Sequence, residues 1–115
     1  MAQRIMLDEA LVQAIDHGLL VLGEIARQAL YQRIEKDYQV KRDQIPEKLP
    51  AFHTALLELL GAGAKVLERL IARDLYKLLG LNFVYHGDWT LVDYVSHAKL
   101  ADSTAAMTAP DAEVV

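Results

Sequence analysis

Between residues 7 and 37 the apolar side chains return at every third or fourth position: Leu11, Ile15, Leu19, Leu22, Ala26 and Ala29. At about 100° per residue these positions fall on one stripe, so the pattern predicts an amphipathic helix. Gln13, His17, Glu24, Gln28, Tyr31 and Glu35 lie opposite. Leu20 and Val21 fall off the stripe, so the middle of this helix is apolar nearly all round and wants burial on two sides. A helix over 7–37 would span roughly 46 Å. A domain of this size is about 35 Å across. Either the helix breaks near Gly18 or Gly23, where glycine weakens a helix interior, or a second copy of the chain covers the excess. Leu20 and Val21 favour the second copy. Leu19, Leu20, Val21 and Leu22 are therefore the candidate dimer contacts.

The next stretch, 37–50, is a charged connection with a turn at Ile45-Pro46. Pro50 suits the first turn of a second helix over 50–60, which would pack through Phe52, Leu56, Leu59 and Leu60. Gly61-Ala62-Gly63 is the clearest break in the chain. A third helix over 64–79 follows, with Leu67, Leu70, Ile71, Leu75 and Leu78 as its apolar face and Gly80 as its stop. Residues 81–85 alternate like a strand, but no second strand is there to pair with them, so they read as extended chain without a sheet. Thr90 and Asp93 form a capping pattern that opens a last helix over 90–100. Residues 101–115 are small and polar and read as a disordered tail. The expected fold is all-α: a compact bundle of about four helices with a long first helix, one domain over 1–100, and the disordered C-terminal tail.

Composition narrows the chemistry. The 115 residues include no cysteine, which excludes disulfides, thiolate metal sites and a thiol nucleophile. No apolar run is long enough to span a membrane. The first 15 residues contain Asp8 and Glu9 and lack the apolar core of a signal peptide, so a cytoplasmic location is expected.

One set of residues looks like a known pattern. It comprises Leu22-Gly23-Glu24, Leu30-Tyr31, Ile34-Glu35-Lys36, Gln44-Ile45-Pro46, Phe52, Leu56, Leu60-Gly61-Ala62-Gly63-Ala64-Lys65, Leu67-Glu68, Ile71 and Leu75-Tyr76. Over about residues 10–97 it resembles the archaeal Nitrosopumilus output domain 5 family, small helical domains of unknown function. The glycine turn and the Ala-Lys-Val-Leu-Glu run after it are the most specific piece. The resemblance implies a helical module with a regulatory role by context, and no catalytic residues.

Lys65, Arg69, Arg73 and Lys77 are spaced by four and form one ridge on the third helix. With the preceding helix and the glycine turn they could make a helix-turn-helix that reads nucleic acid. The charge map supports this in part. Residues 27–77 carry ten basic and seven acidic side chains, between acidic ends of net −3 and −4. The chain as a whole is at −4, and the ridge carries no Ser, Thr, Asn or Gln to read base edges, so a solvated helix face is the stronger reading.

Arg33 falls in the stripe of the first helix and Asp74 in that of the third. A charge on a core face needs a partner. Their opposite signs predict an Arg33–Asp74 ion pair, within one chain or across a dimer. His86, Asp88, Asp93 and His97 lie close in sequence, but their spacing matches no metal signature, and no metal or other cofactor is expected. His17 and His53 read as surface residues or caps. Ser96 and His97 are adjacent on a helix, point about 100° apart and cannot act as nucleophile and base. The glycine turn lacks the Lys-Ser/Thr ending of a phosphate loop. These observations describe a non-catalytic helical module that forms a homodimer and serves in protein interaction or regulatory output. A nucleic-acid regulator acting through the ridge is one alternative. A small-ligand sensor with an apolar pocket between helices is another.

Overall fold

The computed structural model describes residues 7–101. Its elements in order are α1 (Leu7–Leu20), α2 (Glu24–Tyr38), a 3-10 turn (Arg42–Gln44), α3 (Leu49–Leu60), α4 (Gly63–Leu79) and α5, which begins at residue 91 and continues to 101. No strand occurs among the described residues, and 81–86 runs outside helix and sheet, as expected. None of the described helices is long and apolar enough to cross a membrane. The expected tail over 101–115 lies, beyond its first residue, outside the described residues.

The long first helix is two helices. The amides of Val21, Leu22 and Gly23 bond back three residues, to the carbonyls of Gly18, Leu19 and Leu20, which tightens the end of α1 into a turn. Gly23 then takes φ 100°, a conformation that L side chains rarely adopt. The chain turns there, and α2 restarts with Arg27 N–H on the Gly23 carbonyl at 2.9 Å. The excess length is thus absorbed by a fold-back rather than by an overhang.

α1 and α4 form the most extensive helix pair. Leu11, Ala14, Ile15 and Leu19 face Leu67, Ile71 and Leu75 in one core, which Phe52 and Leu56 of α3 and Leu91, Val95 and Ala98 of α5 complete. Gly18 sits at the closest approach: a Cβ added there would lie 2.5 Å from Ile71 Cγ1. Proline in the first turn of α3 and the stops at Gly61 and Gly80 fall where the sequence places them. So does the cap of α5. Thr90 N–H donates to Asp93 Oδ2 at 2.9 Å, and Asp93 N–H returns a longer bond to Thr90 Oγ1 at 3.4 Å.

α2 is tied to the core by Ile34, to α3 by Tyr38 donating to Glu58, and to α1 by Asp16. Asp16 of α1 accepts from the Tyr31 hydroxyl at 2.5 Å and from Arg42 Nε at 3.0 Å, with Arg27 Nη1 at 3.5 Å. Burial alone would raise the Asp16 carboxyl, but the hydrogen bonds from Arg42 and Tyr31 and the two nearby positive charges outweigh it and hold it below its ordinary value. The linkage sign follows. A depressed folded-state pKa adds stability above the unfolded value of about 4 and loses it as pH falls through the folded one. Asp16→Asn is therefore expected to destabilise the protein at pH 7 by about 1–2 kcal/mol. The gap to wild type should narrow on acidification below about pH 4. Urea melts at several pH values check both statements.

Candidate functional site

The corner where α1 meets α2 exposes an apolar surface. Val21 is 69% exposed and Ile25 86%, and Leu20 and Leu22 are also exposed. Leu19 is different. It is 0% exposed and belongs to the core, so it drops out of the set of candidate contacts. Beside the exposed ridge runs a groove lined by Leu22, Ala26, Ala29, Leu30 and Arg33 on one side and by Leu59 and Leu60 of α3 on the other. The two alanines make its floor shallow. Over its 15 residues α2 buries only Ile34 completely. Most of its apolar side chains are thus left half-covered or bare.

The Arg33–Asp74 pair does not form within the chain. Arg33 Nε donates to Asp37 Oδ2 at 2.5 Å, one turn along the same helix. Asp74 lies 2.7 Å from His17 Nδ1 and so ties α4 to α1. Both charges found nearer partners than each other.

The basic ridge is divided. Arg73 and Lys77 are exposed beside Leu70 and Asp74. The guanidinium of Arg69 lies 5.0 Å above the Tyr85 ring and is engaged with the 81–90 segment. Lys65 points to the same side, where it lines a cavity with Arg69, Tyr85, His86 and Trp89.

Among the described residues no group of three His, Asp or Glu side chains is placed to hold a metal. His86 stacks on Trp89 at 3.8 Å between ring centroids, His97 stacks on Tyr76 at 6.3 Å, and Asp93 is the α5 cap.

Two polar residues matter that the pattern of the chain did not single out. Glu68 is only 4% exposed. Its Oε1 accepts from Leu91 N–H at 3.0 Å, and its Oε2 lies 2.6 Å from His53 Nδ1. His53 is accordingly neither a surface residue nor a cap. It is half-buried, and with Glu68 it joins α3, α4 and the first turn of α5. The second residue is Tyr94, whose hydroxyl accepts from His86 N–H at 2.8 Å and donates to the His86 carbonyl at 3.0 Å. Tyr76 in turn donates to the Tyr94 carbonyl at 2.7 Å, and burial pushes the Tyr76 hydroxyl up to about 12. The 81–90 segment is thereby fixed to α4 and α5.

No family model, curated protein or solved structure matches this chain.

Proposed function

We propose that this protein is a non-catalytic helical module that works as a homodimer, with α2 and the α1–α2 corner as the contact. The observation that carries this reading is the uncovered apolar surface of α2: a single fully buried side chain in 15 residues, with Ile25 almost wholly exposed beside an alanine-floored groove. An isologous interface uses one patch twice, so the patch must fit itself. A ridge of Val21 and Ile25 next to a shallow groove meets that requirement, because the ridge of each copy can enter the groove of the other. Charge fits too. An antiparallel crossing of two α2 helices centred between Gln28 and Ala29 sets Glu24 of each copy opposite Arg33 of the other. The driving force is burial of apolar surface, which must exceed the cost of association. A regulatory output role accords with the family that the sequence resembles.

Sedimentation over a range of concentrations tests the reading. Wild type should run as a dimer. Ile25→Glu and Leu20→Glu should run as monomers with an unchanged helical circular dichroism spectrum. A wild-type chain still monomeric at about 100 µM would overturn it.

A further inference from the structure

Residues 85–89 lie beside the beginning of α4 and line with it a half-open pocket of about 140 Å³. Lys65 and Arg69 of α4, Tyr85, His86 and Trp89 of this segment, and Tyr94 of α5 line it. This is close to the size of an engineered cavity, about 150 Å³, that admits benzene. One six-membered ring fits this volume.

The walls are aromatic and already in place. Trp89 stacks on His86, and Tyr94 meets Trp89 edge-on at 5.0 Å. The two hydrogen bonds between the Tyr94 hydroxyl and the His86 backbone pin the segment to α5. A site whose walls are fixed beforehand loses little entropy on binding.

The charge is one-sided. The lining contains two cations and no acid. Lys65 makes no ion pair among the described residues, and Arg69 is held by the Tyr85 ring rather than by a carboxylate. The nearest acids, Asp88 and Glu68, line an adjoining hollow that Lys65 and Trp89 also border, and Glu68 is already taken by His53 and Leu91.

Flat apolar walls with a cationic rim and no acid select an anion that carries a flat apolar body. We infer that this cavity binds a small aromatic carboxylate, a single-ring acid of the benzoate type. The ring packs against Trp89, and the carboxylate reaches Lys65 and Arg69. The site shares no lining residue with the dimer contact and does not depend on it.

Trp89 is the only tryptophan in the chain, so its emission reports on the cavity directly. Titration of the full chain with benzoate should give a saturable change in Trp89 fluorescence. Benzamide lacks the charge and cyclohexanecarboxylate lacks the π-face, so each should bind at least about tenfold more weakly. Lys65→Met and Arg69→Met should weaken benzoate by about tenfold or more, while Arg73→Met, outside the cavity on the same helix, should not. Lys65→Met is the decisive variant, because loss of Arg69 also removes the contact with Tyr85. The absence of a saturable change up to about 10 mM benzoate would overturn the inference. So would equal binding of either analogue, or undiminished binding by Lys65→Met.

Discussion

Glu68→Ala is expected to lower stability by about 3 kcal/mol. Glu68 is a carboxylate with almost no exposure, and its worth lies in the groups it satisfies. Leu91 N–H is one of the amides at the start of α5 that no helical carbonyl can reach. Glu68 Oε1 accepts from it, and Oε2 meets His53 on the other side. Removing the carboxylate strands both partners in a low-dielectric setting, at about 1–3 kcal/mol for each buried group left unmatched. The lost side chain adds a small cavity. Glu68→Gln keeps the volume and part of the bonding and should cost roughly half as much. Urea denaturation should show a lower midpoint with an unchanged slope. Hydrogen exchange should show the amides at the start of α5 losing protection before those of α1 and α4, because the carboxylate pins that end of the helix. Uniform loss of protection across all helices would contradict this account.

Gly18→Val is expected to be as severe, about 3 kcal/mol, for the opposite physical reason. Gly18 lets α1 approach α4 so closely that even a methyl group would stand 2.5 Å from Ile71 Cγ1. Ile71 is fully buried and branched at Cβ, so it has little rotamer freedom with which to move away. Alanine at position 18 would gain up to about 1 kcal/mol in helix propensity. It would lose about 1–3 kcal/mol to overpacking, which leaves a small net loss. Valine adds two more methyl groups with no further gain. A double-mutant cycle identifies the contact. Ile71→Ala removes the clashing atom, so it should cost less in the Gly18→Ala background than in wild type, with a coupling of about 1–2 kcal/mol. Strict additivity would mean that the two helices can slide apart.

Much of the helical layout is legible in the chain because punctuation marks it. Pro50, Gly61, Gly80 and the Thr90–Asp93 pair each bound a helix where the structure has one. The division between α1 and α2 is harder to read. The apolar spacing runs through Leu19, Leu22 and Ala26 without losing phase, so periodicity continues across a turn that only the conformation of Gly23 discloses. Leu19 followed its stripe into the core, while the off-stripe Leu20 and Val21 are left exposed, and so is Leu22 at the turn although it lies on the stripe.

Glu68 escaped for a related reason. Reading α4 by its large side chains puts Leu67, Leu70, Ile71, Leu75 and Leu78 on the buried face. The buried line also takes in Ala64, Glu68 and Ala72, while Leu70 and Leu78 are only partly covered. Close packing against α1 and α5 favours small residues where helices touch, so the true face is rotated toward the alanines, and Glu68 lies on it. A carboxylate between Ala64 and Ala72, with a histidine on the preceding helix, was the available signal. For Arg33 and Asp74 the error ran the other way. Asp37, four residues from Arg33, was always the nearer partner.

The two hydrogen bonds between the Tyr94 hydroxyl and the backbone of residue 86 have a consequence for self-recognition. A stretch outside helix and sheet leaves amides and carbonyls that invite pairing with the same stretch of another molecule. Tyr94 takes both the donor and the acceptor of His86 and so behaves like a one-residue neighbouring strand. The two groups that an incoming chain would use to set register there are already occupied. This part of the segment is thereby closed to β-type pairing.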